Sequence, residues 1–370
     1  MTGSPSSTYA GKLVLFHGPG KALECRSAQW KAPQGAEILV KITHTAICRS
    51  DLHTHCGHRS VPTPTVLGHE IMGRVVAFGP SASRMDLRGE PLEPGDRITW
   101  SIYAHCGDCF HCHSGWPQKC TDLFKYGHEP VSSDGSDSSG GMASYIQLRP
   151  GTSVLKLDPK IPDHHAVTLN CAMATAAAVV RRAALSKEPA PLVVVMGGGY
   201  AGLSTAAMCK AQGARAVMVV ETQTALHSRC LDFGADAVFQ PEEDALKTWV
   251  MNQSAGRGAD HVMEMAGSSA AAELGLELLA TGGGLMLAGT VFPSPSIPVD
   301  PERMVRGCQT IAGMHNYAPQ DLLAATRFLE EEGRNLPWDA LHGGTMCLDQ
   351  SQEAFDEAQR SPGKRWILTP

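Results

Sequence analysis

The five residues Leu192–Met196 (L-V-V-V-M) run directly into Gly197-x-Gly199-x-x-Gly202. This junction constrains the fold more than any other feature of the chain. A short run this apolar reads as a strand buried on both faces. Glycines at these spacings allow a tight turn, a close approach of backbone to a pyrophosphate, and close packing of the next helix on the strand. The helix predicted at 201–212 would turn its free N–H groups and partial positive charge toward that pyrophosphate. The alternative is a glycine-rich turn without a ligand, and the strand before and the helix after it weigh against that.

The alternation continues downstream. Strands are predicted at Ala216–Val220, Ala237–Phe239, 261–265, 285–288 and 310–314, with a helix at 225–233. Strands alternating with helices mean a parallel sheet covered on both faces, a doubly wound α/β domain. The first of these strands runs into Glu221, 24 residues after Gly197. A carboxylate there can accept both ribose hydroxyls of an adenosine and would repel a 2′-phosphate. Thr222, Gln223 and Thr224 supply no cation, and His227 and Arg229 are expected on an exposed helix face. NAD is therefore favoured over NADP.

The first 150 residues read differently. Short β-type runs at 37–44, 73–79 and 96–100 alternate with Gly/Pro turns, which predicts a β-rich domain. An Ala-rich helix at 172–185, broken at 187–191, leads into the α/β half. A helix at 321–332 and a strand at 365–368 are expected to return to the first domain. The predicted domains are therefore 1–172 with 316–370, and 173–315. Residues 1–8 read as a disordered tail, and the polar stretch 132–141 (S-S-D-G-S-D-S-S-G-G) as a solvated loop.

Within the β-rich half, Cys106, Cys109, Cys112 and Cys120 are spaced C-x2-C-x2-C-x7-C. Four thiolates so close can close a tetrahedral shell around one soft divalent ion, and zinc is the usual occupant. A disulfide cluster or an iron–sulfur site are the alternatives. The chain holds 12 cysteines and begins without a basic or apolar leader, so metal ligands and free thiols in the cytoplasm are expected. Cys25, Cys56, Cys209, Cys230, Cys308 and Cys347 have no assigned partner, and most are expected to be buried as small apolar residues. The net charge of −6 argues against a nucleic-acid footprint or a polybasic membrane patch. No apolar run reaches membrane-spanning length.

Cys48-Arg49-Ser50-Asp51-Leu52-His53 and Gly68-His69-Glu70 are unremarkable alone. They share the β-rich half with the cysteine cluster, and Cys171 stands at the junction between the halves. With Pro64-Thr65-Val66-Leu67-Gly68-His69-Glu70, Gly95-Asp96-Arg97 and Cys171-x-x-x-Thr175 in this order, the chain resembles the zinc-containing medium-chain alcohol dehydrogenases over nearly its whole length. The resemblance implies a GroES-like catalytic domain beside a Rossmann domain. It implies two zinc ions, one structural on the four-cysteine lobe (about residues 105–121) and one catalytic on Cys48, His69 and Cys171. Asp51 would orient His69, Glu70 would tune the metal from behind, and Thr175 would pack near the nicotinamide. Arg49 would contact the cofactor pyrophosphate, with an ordinary surface cation as the alternative. Zinc would let an alcohol lose its proton near neutral pH, and the alkoxide would pass hydride to NAD. Ser50 would take the proton first and His53 would deliver it to solvent. His55 or His58 could replace His53, or all three could be surface residues.

Lys125-Tyr126-Gly127-His128-Glu129, Asn170-Cys171 and His315-Asn316-Tyr317 resemble a bacterial subgroup labelled phosphonate-associated alcohol dehydrogenases. Lys125 and His128 could bind an anionic substrate tail or be loop residues. His315–Tyr317 could face the nicotinamide end of the cleft or form a structural turn. The resemblance also implies a small alcohol or carbonyl substrate and a homodimer or homotetramer. Two rival functions are a noncatalytic protein that binds NAD and zinc, and a zinc-independent quinone or enone reductase. Relatives of the second kind usually lack the catalytic ligands and the cysteine lobe.

Overall fold

The computed structural model describes residues 8–132, 138–185 and 189–370. The predicted tail, the centre of the polar stretch and part of the break at 187–191 therefore lie largely outside the described residues. The chain forms two compact units. The first comprises Met1–Cys171, Ala318–Leu323 and Leu341–Pro370; the second comprises Ala172–Tyr317 and Ala324–Ala340.

The second unit holds six parallel strands in the order Ala237–Phe239, Ala216–Val220, Leu192–Met196, Ala259–Glu264, Leu279–Leu287, Thr310–Gly313. Leu192–Met196 is fully buried, as a central strand covered on both faces requires. Its Leu192, Val194 and Met196 pack with Met218, Val262 and Leu285 in one core. The chain reverses its direction of growth between Leu192–Met196 and Ala259–Glu264, the switch point where such sheets open a crevice. Gly197 takes φ +101°, and a Cβ at Gly202 would lie 1.9 Å from the Gly197 carbonyl oxygen. Only glycine lets the helix Tyr200–Ala211 approach the strand this closely. Trp338 stacks on Tyr200 (5.7 Å) and meets Phe233 edge-on (4.8 Å), which fixes 324–340 in this unit.

In the first unit a mostly antiparallel sheet runs His342–Cys347, Arg365–Thr369, Ile38–Ala46, Glu70–Phe78, Arg97–Ala104, Phe124–Lys125. Tyr145–Leu148 adds to Ile38–Ala46, Thr152–Lys156 adds to Arg97–Ala104, and Thr8–Leu15 pairs with Glu24–Lys31 apart from it. Its core gathers Phe16, Trp30, Trp100, Tyr126 and Phe355, all essentially inaccessible. Ala46 pairs with both Glu70 and Ile367, so the segments leading to Cys48, His69 and Arg365 meet at one end of the sheet.

One expectation fails here. The described part of 132–141 is not a uniformly solvated loop: Ser138, Ser139, Gly140 and Gly141 are buried. Trp30 Nε1 donates to Ser138 Oγ (3.1 Å), and a Cβ at Gly140 would lie 1.9 Å from the Val66 carbonyl oxygen. The small residues serve close packing against 66–68. Among the described residues, no helix is long and apolar enough to cross a membrane.

Candidate active site

Strand Ile38–Ala46 leads into Cys48, which caps the helix Arg49–His55. Asp51 Oδ2 accepts the Cys48 backbone N–H (3.0 Å), and Asp51 Oδ1 lies 3.2 Å from His69 Nδ1. One buried carboxylate thus closes the helix cap and holds the imidazole. Ser50 Oγ lies 3.1 Å from the other ring nitrogen, His69 Nε2. Cys171 arrives on a π-helical turn, Leu169–Met173. The adjacent Asn170 is buried, its amide donating to the His69 carbonyl (3.1 Å) and its Oδ1 accepting from the Ile71 N–H (3.1 Å). The result brings one donor atom each from Cys48, His69 and Cys171 within 4.8 Å of one another.

The electrostatics of this cluster are those of groups sharing protons. The neighbouring Cys171 thiol, against the burial that opposes it and aided by Arg365 and His69, holds the Cys48 thiol well below its ordinary range. The Cys48 thiol, together with burial, pushes Cys171 well above it. Burial alone would lower His69; Asp51 and Cys48 outweigh it and raise the imidazole to about 10. Two thiols and an imidazole turned to one point, with the second imidazole nitrogen held by a carboxylate, suit a soft divalent ion.

Behind them Glu70 is fully buried and paired with Arg365, at 2.8 Å (Nε to Oε2) and 3.2 Å (Nη2 to Oε1). Arg365 Nη2 also lies 3.9 Å from Cys48 Sγ. Burial pushes Glu70 up to about 8, against the pull of Arg365. Arg365 is a site residue that sequence reasoning missed. It lies 295 positions from its partner, and its only local signal is a cation opening a buried strand.

In the lobe, Cys106 and Cys120 sulfurs lie 3.4 Å apart, Cys109 and Cys112 3.6 Å, and Cys109 and Cys120 3.9 Å. A sulfur tetrahedron around zinc, at about 2.3 Å per bond, has edges of about 3.8 Å. The distances fit a single ion and are far too long for disulfides, whose S–S bond is about 2.05 Å. Backbone hydrogen bonds at Thr121 and Cys112 lower Cys109 to about 5, while burial and the bond to Cys109 push Cys112 up to about 12.

His53 Nδ1 lies 3.3 Å from His58 Nδ1. Burial, then the Arg49 charge, lowers His53 below its ordinary value. His55 instead packs, half-buried, between Phe355 (4.9 Å) and Phe16 (6.2 Å). The hydrogen-bond partner of Ser50 Oγ is His69; His53 lies one helical turn along from Ser50. Arg49 is exposed at the start of the same helix. Tyr317 is fully buried and Asn316 takes φ +56°. The unassigned cysteines depart from expectation: Cys209 and Cys230 are buried, but Cys56, Cys308 and Cys347 are exposed. Each exposed one stands at the end of an element, where no core covers it.

The second unit carries the glycine junction. Glu221 Oε2 accepts the Gly198 N–H (2.8 Å) and Oε1 accepts the Gln223 N–H (2.8 Å). A cavity of about 430 Å³ opens there, lined by Gly197, Glu221, Thr222, Glu242 and Ala271 among others, with no Lys, Arg or His in its lining. His227 and Arg229 are half-buried, not exposed. His227 Nε2 donates to the Glu221 carbonyl (2.9 Å), and Arg229 lies near enough to feel the Glu221 carboxylate. Thr175 belongs to this unit, in the first turn of the helix Ala174–Ala183. Glu264, also missed, is fully buried and accepts N–H groups of Gly267 (2.6 Å) and Gly289 (3.2 Å), tying together the turns after two central strands.

Comparison with known proteins agrees with this architecture. Residues 34–159 match the alcohol dehydrogenase GroES-like domain and residues 201–331 the zinc-binding dehydrogenase domain. L-threonine 3-dehydrogenase of Pyrococcus horikoshii is 31% identical over 278 residues, 73% of each chain. The chain belongs to the zinc-containing medium-chain dehydrogenase family. This dehydrogenase is also 27% identical to the sorbitol dehydrogenase of Halalkalibacterium halodurans, over 91% of its own length and 93% of the relative's. The solved alcohol dehydrogenase of Thermotoga maritima superimposes with a TM-score of 0.90 at 27% identity, covering 98% of this chain and 100% of the other. The fold, a GroES-like β-rich domain with a Rossmann domain, is that of the family.

Proposed function

We propose that this oxidoreductase is an NAD-dependent alcohol dehydrogenase that interconverts an alcohol and its aldehyde or ketone at Cys48, His69 and Cys171. The observation that carries the reading is three convergent donors rather than four, two buried and one half-buried. Three ligands leave a tetrahedral ion one open position, as catalysis requires. When bound, zinc supplies a Lewis acid that lets a hydroxyl lose its proton near neutral pH. The four-thiol lobe offers a closed shell to a second, structural zinc.

The remaining roles belong to the protein. Asp51 keeps a proton on His69 Nδ1, so Nε2 offers its lone pair to the metal. Glu70 accepts both hydrogen bonds of Arg365 and so holds the guanidinium behind the ligands, beside Cys48. Ser50, beside His69 Nε2, takes the hydroxyl proton, and His53 passes it toward solvent. When bound, NAD would supply the hydride acceptor, so one alcohol and NAD⁺ would yield a carbonyl, NADH and a proton. Gly197, Gly199 and Gly202 cradle the pyrophosphate, and Glu221 takes the adenosine ribose hydroxyls. Arg49 at the pyrophosphate and Thr175 beside the nicotinamide rest on the family resemblance. The same reading has a cytoplasmic homodimer or homotetramer acting on small molecules.

Two predictions follow from these assignments. Glu221→Ala is expected to lower the NAD/NADP ratio of kcat/KM by about 10- to 100-fold, the worth of hydrogen bonds to a charged group. An unchanged ratio removes Glu221 from the cofactor site. The lowered His53 stays neutral, and so able to accept a proton, to below its ordinary range. His53→Ala is therefore expected to slow turnover most at low pH and least at high pH, where hydroxide takes the proton. An equal loss at every pH, read from kcat profiles, discards the relay role.

A further inference from the structure

We propose that Glu264 is a positioning residue for the cofactor: its buried carboxylate locks the turn 265–268, which walls the dinucleotide cavity, to the turn 288–290 beside it. Cofactor affinity then depends on Glu264, while the chemistry at Cys48, His69 and Cys171 does not. The inference rests on the NAD reading and adds to it a residue outside the glycine junction and Glu221.

Glu264 ends the central strand Ala259–Glu264 and has no exposed surface. The chain beyond it lines the 430 Å³ cavity through Ala266 and Ser268, together with Gly197 and Glu221. This turn is in close contact with the turns on both sides. A Cβ at Gly197 would lie 3.1 Å from the Ala266 Cα, and one at Gly267 would lie 2.8 Å from the Gly289 carbonyl oxygen. Three turns therefore stand side by side after three adjacent strands, Leu192–Met196, Ala259–Glu264 and Leu279–Leu287. The C-terminal ends of such strands are where a parallel sheet opens its ligand crevice.

One side chain joins two of these turns. Glu264 Oε1 accepts the N–H groups of Gly267 (2.6 Å) and Ser268 (3.4 Å). Its Oε2 accepts the Gly289 N–H (3.2 Å) and the Thr290 hydroxyl (3.4 Å). All four partners are donors, as an ionised carboxylate, which only accepts, requires. Among the described residues none of them is a cation, so the carboxylate is held by the turns themselves. A buried charge is tolerated only while its hydrogen bonds are made. The four bonds and the shape of the cavity wall therefore stand or fall together. Glu221 lines the cavity directly, whereas Glu264 acts through Ala266 and Ser268.

The test measures binding as well as turnover, on the full chain and its Glu264→Gln and Gly267→Ala variants. Calorimetric titration uses NAD⁺ and ADP-ribose, which carries no hydride acceptor. Glutamine keeps the size of the side chain but turns an NH₂ group toward the N–H donors of one turn. Alanine at 267 pushes the same two turns apart and leaves the carboxylate in place. Each variant is expected to weaken both ligands about 10- to 100-fold and to raise KM for NAD⁺ in proportion. At saturating NAD⁺, kcat and KM for the alcohol should stay within about threefold of the parent. A residue that only stabilised the fold would give the reverse pattern: a lower melting temperature and a smaller active fraction, with the affinity of the folded molecules unchanged. That pattern, or unchanged affinity for both ligands in Glu264→Gln, overturns the proposal and leaves the NAD reading standing. If Glu264→Gln does not fold, unchanged affinity in Gly267→Ala overturns it in the same way. A parent chain that binds neither NAD⁺ nor ADP-ribose takes down the NAD reading and this inference with it.

Discussion

Cys171→Ala is expected to abolish turnover and to leave one zinc per chain where the intact protein is expected to hold two. The reason is geometric. Cys48, His69 and Cys171 are the three donors of one cluster, and removing one leaves two, too few to hold an ion through turnover. The lobe of Cys106, Cys109, Cys112 and Cys120 shares no ligand with that cluster and should keep its own ion. Lewis-acid stabilisation is worth several kcal/mol, so kcat should fall by at least about 10³-fold. Metal analysis and steady-state kinetics on the same preparation check both halves. Two zincs retained in the variant, or turnover within tenfold of the parent, would remove Cys171 from the centre.

Arg365→Met is expected to produce the largest loss of stability. Glu70 has no exposed surface, and its two oxygens face the Arg365 guanidinium. Deleting one partner of a buried pair leaves the other charge uncompensated, at a cost of about 3–5 kcal/mol. The melting temperature should fall by about 4–6 °C. Adding Glu70→Gln should recover much of that loss, because the orphaned charge goes with it. A single variant as stable as the parent, measured by thermal melting, would mean that water or another group compensates Glu70.

What the sequence made legible was local. Leu192–Met196 and Ala216–Val220 are continuous apolar runs next to glycine and turn residues, and their limits could be read directly. Helices with few apolar residues could not. Ser351–Arg360 buries only Ser351, Ala354, Phe355 and Ala358 and otherwise reads as a polar loop. The stretch ending Ser138-Ser139-Gly140-Gly141 looked solvated because small polar residues suit loops, yet small size is also what close packing against Val66 demands. Cys48, His69 and Cys171 are scattered over more than a hundred residues, so no spacing rule joins them; the family resemblance did. Arg365 and Glu264 escaped even that, each being a single charge at the edge of an apolar run whose partners lie far away or on the backbone.

The central claim is that Cys48, His69 and Cys171 form a zinc-dependent site for hydride exchange between an alcohol and NAD. Its most direct test is the NADH absorbance produced from a panel of alcohols by the intact protein, before chelation, after it, and after zinc is restored. The account predicts NADH formation that chelation removes and zinc returns. NADH formation untouched by removal of both zincs would contradict it, and so would its absence with every alcohol and carbonyl despite bound zinc and NAD.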